Sequence, residues 1–380
     1  MTEPTLTDEE LDDFDNLQPS QSTTNTKEAA QKQEPSFDWL DDNLRTIAER
    51  DDGEEWLTKS PPLREYLLSV TEGGKGPRGV LASGRVAFLA SPGGVGKSHA
   101  LCQLALAVSV ANERATKWLD TFNVDRGGRV LLVMGEEESE EIRRRLYDAA
   151  NVMGINDEKQ IKEAIGNIVA MGLAGRTDIA LAKTDGTDSK FAAMLRHKLE
   201  QHEWACIILD PLARFAGADV EKDNGAATRM VQVLEKLTHL PGKPTVIVAH
   251  HTRKQGNSDI NDKQSADDMR GASGLRDGAR FVSMLEDLDR FDNAPRLVRF
   301  HVVKNNYGTH PNPVLLTRDE DGGGALRRAR TSEIDEYEKA KDLDASKRKG
   351  PPKDKTKPDA KGVADKPARA TTSIEDRKDL

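Results

Sequence analysis

The chain has 380 residues, a formal net charge of −9 and only 4% aromatic residues, so it is long enough for one large domain or two small ones with a core of Val, Leu, Ile and Ala. Two cysteines, Cys102 and Cys206, exclude a disulfide framework, and the longest apolar runs are too short to span a bilayer. Together with the polar, acidic N-terminus, these features predict a soluble, cytoplasmic protein without membrane association.

The two ends of the chain differ from its middle. Residues 1–60 carry 17 acidic and 5 basic residues. The first part of this segment, to about residue 35, has too few apolar side chains to offset the entropy of ordering, which predicts disorder. Apolar residues at helical spacing from Phe37 to Ile47 predict a short helix. This helix either docks on this chain or a neighbour, or forms only transiently.

Residues 61–335 are predicted to form the globular domain, in which apolar strand segments alternate with helical segments. The strand candidates are Val86–Ala90, Val130–Met134, Ile168–Met171, Ala205–Leu209, Thr245–Ala249, Phe281–Leu285, Leu297–Val303 and Val314–Thr317, and the helix candidates are Ala100–Ala111, Glu140–Val152, Phe191–Gln201 and Ala226–His239. This alternation predicts an α/β fold: a mainly parallel sheet with helices on both faces and antiparallel strands at one edge. Residues 336–380 predict a disordered basic tail rich in Lys and Pro, which either contacts nucleic-acid phosphates weakly or serves solubility.

A glycine-rich loop joins the first strand candidate to the first helix candidate. Its residues are Ser91, Pro92, Gly93, Gly94, Val95, Gly96, Lys97, Ser98 and His99. A strand, a glycine loop, Gly-Lys-Ser and a helix are the pattern of a phosphate-binding loop, in which backbone N–H groups and the helix N-terminus face phosphate oxygens. Lys97 is expected to bind the β- and γ-phosphates of ATP, and Ser98 to bind Mg²⁺. The alternative is an ordinary glycine turn.

Acidic side chains follow two further strand candidates. Glu136, Glu137 and Glu138 come after Val130–Met134, and Asp210 comes after an apolar run that ends at Leu209. Glu136 is the candidate base that activates the attacking water, with Glu137 as the next choice; the alternative is an acidic helix start. Asp210 fits the Walker B pattern and is expected to hold Mg²⁺ together with Ser98.

Histidines and arginines follow later in the chain. His250 and His251 end the strand candidate at Thr245–Ala249, and we predict that His251 senses the γ-phosphate whereas His250 is structural. Arg280 precedes the strand candidate at Phe281 and is the candidate arginine finger that enters a neighbour's site. Surface ion pairing with Asp277 or Asp267 is the alternative. The long polar loops at Ala213–Gly225 and Thr252–Gly274 are candidates for DNA contact.

With these residues in order, the chain resembles the RepA-type hexameric replicative helicases of plasmids and mobile elements, a branch of the RecA-like ATPases within the AAA ATPase set. The resemblance covers about Pro61 to Gly308, and its last motif is Lys304-Asn305-Asn306-Tyr307-Gly308. It implies a RecA-like fold, a six-membered ring with ATP and Mg²⁺ between subunits, and single-stranded DNA in a central channel. By position it gives Lys97, Ser98, Glu136, Asp210, His251 and Arg280 the roles stated above, and it suggests that Lys304 also faces the neighbouring site.

The expected activity is therefore that of an ATP-dependent helicase motor. Two other functions remain open: a RecA-like recombination ATPase that forms filaments, and a nucleotide-switched regulator without motor activity. In the latter, residues 1–60 dock a partner protein; in a helicase, the same segment is a candidate for binding a replication or loading partner.

Overall fold

The structure is a computed structural model of the chain, and it describes residues 44–112, 115–183, 187–217, 220, 223–252, 273–319 and 323–349. The chain divides into two compact units, Met1–Leu63 and Arg64–Leu380. In the first unit, a 3₁₀ helix at Ile47–Glu49 precedes helix α1 (Glu55–Thr58). The predicted disorder of the first residues, and most of the helix predicted from Phe37 to Ile47, lie outside the described residues.

The second unit contains the remaining elements. Its strands are Tyr66–Val70 (β1), Arg78–Ala82 (β2), Val86–Ser91 (β3), Lys117–Trp118 (β4), Phe122–Val124 (β5), Val130–Met134 (β6), Ile168–Gly172 (β7), Cys206–Asp210 (β8), Thr245–His251 (β9), Phe281–Asp287 (β10), Leu297–Asn305 (β11), Val314–Arg318 (β12) and Leu326–Arg328 (β13). Its helices are Lys97–Ser109 (α2), Ser139–Val152 (α3), Glu158–Asn167 (α4), Lys190–Leu199 (α5), Leu212–Phe215 (α6), Asn224–Leu237 (α7), Ser273–Gly278 (α8) and Thr331–Lys349 (α9). Among the described residues, no helix is both long enough and apolar enough to cross a membrane.

The large sheet confirms the predicted fold class. Its nine strands have the order β13-β12-β11-β10-β3-β9-β8-β6-β7 among the described residues. The strands from β10 to β7 pair in parallel, whereas β10, β11, β12 and β13 pair antiparallel and form one edge. Parallel strands that are buried on both faces need nearly continuous apolar sequence, which is why β3, β6 and β8 were predictable.

Helices cover both faces of this sheet. Along β3, Phe88 points into the core shared with helices α5 to α8, and Leu89 points into the core shared with α2, α3 and α4. This alternation follows from the two-residue period of a strand. Side-chain caps are present at the N-termini of α4, α5 and α7; at α4, the Asp157 carboxylate accepts the N–H groups of Lys159 and Gln160 at 3.0 and 3.2 Å.

A small sheet of four short strands, with the order β2-β1-β5-β4, packs on the α2 side and was not predicted. The aromatic rings of Trp118 and Phe122 lie edge-on to Phe300 of β11, with ring centres 5.2 and 5.1 Å apart. The Trp118 indole N–H donates to the Ala100 carbonyl of α2 at 2.7 Å. Polar residues or glycine interrupt each of these short strands, so they lack the continuous apolar run that marks β6 and β8, and tertiary packing decides them.

The C-terminal boundary differs from the predicted one. Disorder was expected from residue 336, but helix α9 runs through this position to Lys349. Tyr337 is buried, and its ring centre lies 5.3 Å from that of Phe291. Helix α4 also escaped prediction, as did the short helix α6 within the predicted Ala213–Gly225 loop. The prediction at Thr252–Gly274 lies mostly outside the described residues.

Candidate nucleotide site

The predicted phosphate loop lies at the carboxyl end of β3, where it enters helix α2. Gly96 has φ = 112°, a backbone conformation that favours glycine, and a Cβ there would also crowd the Leu326 side chain at 3.2 Å. The loop opens on a cleft of about 370 Å³. From the predicted loop, the residues that line it are Pro92, Gly93, Gly94, Gly96, Lys97, Ser98 and His99.

Two members of the predicted loop do not line the cleft. Ser91 is fully buried as the last residue of β3, and its hydroxyl donates to the Pro92 carbonyl at 2.9 Å. Val95 packs its side chain into the core beneath α2. Both residues therefore support the loop from its buried side, a position that suits small or apolar side chains better than charged ones.

Lys97, Ser98 and Asp210 meet at the base of the cleft. The Lys97 ammonium lies 3.2 Å from one carboxylate oxygen of Asp210, and the Ser98 hydroxyl donates to the other at 2.6 Å. Lys97 and Asp210 are both more than 90% buried, so each charge depends on the other for compensation. Hydroxyl and carboxylate oxygens are the hard ligands that Mg²⁺ prefers, so this donor set fits a magnesium ion.

The carboxylates after β6 have different surroundings. Glu136 is exposed at the cleft and has no hydrogen-bond or ion-pair partner among the described residues. Glu137 is half-buried and receives a hydrogen bond from Arg145 at 2.6 Å. The Glu136 carboxylate can thus accept a hydrogen bond from a water molecule, whereas the charge of Glu137 is already balanced by Arg145.

The loop that presents Glu136 is held from both sides. The N–H group of Gly135 donates to the Asp210 carbonyl at 2.8 Å. Arg214, in the loop that was a candidate for DNA contact, donates to the carbonyls of Gly135 and Arg176 at 3.0 and 2.8 Å. Arg214 therefore fixes the β6 loop through the backbone.

The two histidines at the end of β9 lie on opposite sides of the strand. His251 pairs in register with Ser91 and lines the cleft. His250 is buried, with its ring edge-on to Phe88 at a centre distance of 6.4 Å. Because strand side chains alternate, only one of two adjacent histidines reaches the cleft.

Arg280 is not part of the cleft of its own chain. It is exposed just before β10, whose first residue pairs with Ala87 near the start of β3, and the phosphate loop follows the other end of β3. Arg280 and the phosphate loop therefore lie at opposite ends of β3: the loop is at its carboxyl end, and Arg280 is near its amino end. No carboxylate pairs with Arg280 among the described residues. Asp277, one candidate of the alternative interpretation, pairs with Arg276 instead, and the other, Asp267, lies outside the described residues.

Lys304 lies beside Arg280, at the same end of the parallel strands. Its ammonium donates to the carbonyls of Arg276 and Asp277 at 2.8 and 3.0 Å, at the C-terminal end of helix α8. Burial lowers the pKa of Lys304; the Asp277 charge opposes this shift and the nearby arginines add to it.

Two arginines in the cleft were missed by sequence analysis. Burial by itself would lower the pKa of Arg145, but the carboxylates of Glu137 and Glu141 outweigh it and raise that pKa. Arg318, at the end of β12, donates to the Gly94 carbonyl at 2.6 Å. Burial lowers the pKa of the neighbouring His99, and the charges of Arg145 and Arg318 lower it further. Neither arginine stands in a local motif, so the sequence carried no signal for them.

A comparison with known families covers this region. Residues 71–257 match the AAA domain family model. The matched segment contains the phosphate loop, Glu136, Asp210 and His251, and supports a P-loop ATPase domain here; Arg280 and Lys304 follow after its end.

Two solved structures are similar to the chain at 15% identity and a TM-score of 0.45, each over 65% of its length. One is an ATPase domain, of which 85% is covered. The other is a DnaB-like replicative helicase, solved in a study of its interactions with primase, of which 58% is covered.

Proposed function

We propose that the protein is an ATP-dependent DNA helicase-type motor of the RepA kind, which hydrolyses ATP between the subunits of a ring and translocates on single-stranded DNA during replication. The observation that supports hydrolysis is the meeting of Lys97, Ser98 and Asp210 in a cleft with Glu136 at its rim. The AAA domain match spans the same residues.

The chemical roles follow from charge and position. Lys97 exchanges its contact with Asp210 for the β- and γ-phosphates, and Ser98 and Asp210 hold Mg²⁺. When bound, the metal ion neutralises charge that develops on the phosphate oxygens. Glu136 accepts the proton of the attacking water as the water oxygen bonds to the γ-phosphorus, while the bond from that phosphorus to the β,γ-bridging oxygen breaks and ADP leaves with the bond's electrons. His251, at the cleft end of β9, responds to the loss of the γ-phosphate.

The proposed ring follows from the position of Arg280. This exposed arginine, which has no ion-pair partner among the described residues, lies at the sheet edge opposite the phosphate loop and cannot reach the cleft of its own chain without disrupting the sheet. It can reach the cleft of a second copy, where a guanidinium stabilises transition-state charge as an arginine finger does. Lys304 lies beside it and is positioned by two backbone carbonyls.

Two parts of the proposal rest on the resemblance alone. They are the six-fold symmetry and the passage of single-stranded DNA. The cytoplasmic location is instead proposed from the composition of the chain, and the docking of a replication or loading partner from the acidic residues 1–60, which lie outside the resemblance. The predicted DNA-contact loop at Thr252–Gly274 lies mostly outside the described residues, and its role stays a prediction.

The deciding experiment measures ATP hydrolysis with and without single-stranded DNA and records the mass of the oligomer in the same buffers. We expect a hexamer whose hydrolysis rises strongly with DNA, and unwinding of a forked duplex. Open filaments on DNA, seen by electron microscopy, would support a recombination ATPase. Hydrolysis by a monomer or dimer that is indifferent to DNA would overturn the motor and leave a nucleotide-switched regulator.

A further inference from the structure

The cations that line the nucleotide cleft differ in how their charge is balanced. Lys97 pairs with Asp210, and Arg145 pairs with Glu137 and Glu141 at 2.6 and 3.0 Å. Arg318 lines the same cleft, but no carboxylate forms an ion pair with it in the part of the chain that the structure describes. Its charge therefore has no contacting counter-charge within these residues.

The donors of Arg318 are also only partly used. One terminal nitrogen donates to the Gly94 carbonyl of the phosphate loop at 2.6 Å. The Nε atom is buried and has no hydrogen-bond partner among the described residues. An unused buried N–H group on a partly exposed cation is costly unless a ligand supplies an acceptor, and an anion supplies the best one.

The neighbouring arginine shows that this situation is particular to Arg318. Arg296 also donates to the Gly94 carbonyl, at 3.3 Å, but the Asp287 carboxylate binds its guanidinium with two hydrogen bonds of 2.7 and 2.6 Å. Arg290 shares the same carboxylate at 3.0 Å. Among the described residues, Asp287 thus pairs with the other two arginines at this wall and forms no ion pair with Arg318.

The sheet order indicates which part of a nucleotide Arg318 meets. Asp210 and His251 lie on β8 and β9, on one side of β3, whereas β12 and Arg318 lie on the other side. The phosphate loop separates the two groups. Arg318 also lies near Gly324 and His99, the residue that follows Lys97 and Ser98 along α2. It therefore lies on the other side of the phosphate loop from the groups proposed to hold the metal ion and to activate the water.

We propose that Arg318 binds the non-transferred phosphates of ATP and ADP, in the same chain as the phosphate loop. This assignment rests on the proposed ATPase function and adds a second, intrachain cation to the site. A contact with phosphates that are present in both substrate and product contributes equally to the ground state and the transition state. Arg318 therefore sets nucleotide affinity, in contrast to Arg280, which is proposed to act on the transition state.

The test compares nucleotide binding to full-length variants by isothermal titration with Mg·ADP and with a slowly hydrolysed ATP analogue. Arg318→Ala is expected to weaken both ligands by the same factor, on the order of 10- to 100-fold, because it removes a charge-assisted hydrogen bond. Its kcat at saturating ATP should stay within about threefold of wild type while KM rises. Arg290→Ala is the matched control: it removes the same charge from an exposed arginine bound to Asp287 and should leave affinity unchanged.

Arg318→Gln separates binding from a structural role. Glutamine can still donate to the Gly94 carbonyl but carries no charge, so it should keep the nucleotide-free melting temperature and lose the melting shift that ADP produces in wild type. Wild-type ADP affinity in Arg318→Gln or Arg318→Ala would overturn the inference. Failure of the wild-type protein to bind ADP at all would instead overturn the proposed ATPase function, and this inference with it.

Discussion

The parallel strands of the large sheet have their carboxyl ends along one edge and their amino ends along the opposite edge, and the charged residues at these two edges are arranged differently. At the carboxyl edge of the parallel strands, Lys97, Ser98 and Asp210 contact one another inside a cleft. At the opposite edge, Arg280 is exposed and has no ion-pair partner among the described residues. The length of β3 separates them by roughly 16 Å, at about 3.3 Å per residue.

This difference indicates that one chain contains two halves of a site rather than one complete site. The carboxyl edge has the groups that bind phosphate, metal and water, and most of their charges are balanced within the chain. The opposite edge offers a guanidinium that no carboxylate of the described residues pairs with. In the proposed ring, the carboxyl edge of one copy meets the opposite edge of the next copy. Substitutions at either edge test this arrangement.

The largest effect is expected at the carboxyl edge. Lys97→Ala should abolish ATP hydrolysis, because it removes the cation that binds the reacting phosphates. Phosphate release at saturating ATP is the measurement, with circular dichroism to verify folding, since the change leaves Asp210 buried without its partner. Lys236→Ala is the control, since Lys236 forms an ion pair with Asp188 at the surface. Hydrolysis at the wild-type rate in Lys97→Ala would contradict the assignment of the cleft.

The second-largest effect is expected at the opposite edge, at Arg280. Arg280→Ala should lower kcat by a factor of about 10³, as removal of an arginine finger does, without changing ADP affinity or the melting temperature of the chain. Mixing Arg280→Ala with Lys97→Ala subunits should restore part of the activity, because an intact cleft then meets an intact arginine. If the mixture stays as inactive as its parts, Arg280 does not act between subunits.

Within the cleft, substitutions of the two adjacent carboxylates, Glu136 and Glu137, should differ in their effect on turnover. Glu136→Gln should retain ATP binding and lose turnover by about 10²- to 10³-fold, because it removes the proton acceptor. Glu137→Gln is the matched variant, and its loss should be smaller because Glu137 is held by Arg145. Single-turnover hydrolysis measures both. The reverse ranking would make Glu137 the base.

The smallest effect concerns stability near the carboxyl edge. Arg327 donates two hydrogen bonds to Glu333 in the first turn of α9, at 2.9 and 2.6 Å, and these bonds lower the pKa of Glu333 to about 2. A carboxyl whose pKa falls on folding stabilises the protein above its unfolded pKa of about 4.3, and this contribution disappears as pH falls through about 2.

Glu333→Gln should therefore lower the free energy of unfolding by about 1 kcal/mol at pH 7, allowing for solvent screening of a partly exposed pair. Urea unfolding at pH 7 and at decreasing pH is the measurement, and the difference from wild type should shrink between about pH 4 and pH 2. A difference that is constant over this range would show that Glu333 acts through packing and not through its charge.

Much of the fold followed from local patterns. The apolar runs of β3, β6 and β8 can be read from the sequence because both faces of a parallel strand are buried, and the glycine loop is visible because its backbone needs residues without a side chain. The strands of the small sheet and helix α4 were missed, because short or polar segments depend on what they pack against. Helix α9 was missed for the same reason, since only the burial of Tyr337 distinguishes it from a tail.

Local sequence patterns were sufficient to predict the α/β fold class, the phosphate loop and the positions of Glu136, Asp210 and His251 at strand ends, because strand periodicity and turn chemistry are local. The ion pairs, in contrast, are visible only in the folded chain: Glu137 pairs with Arg145 and Lys97 with Asp210, whereas Arg318 pairs with no carboxylate among the described residues. The tertiary structure also separates Arg280 from the cleft of its own chain. Ion pairing depends on distances between residues far apart in the chain, and those distances exist only once the strands are ordered in the sheet.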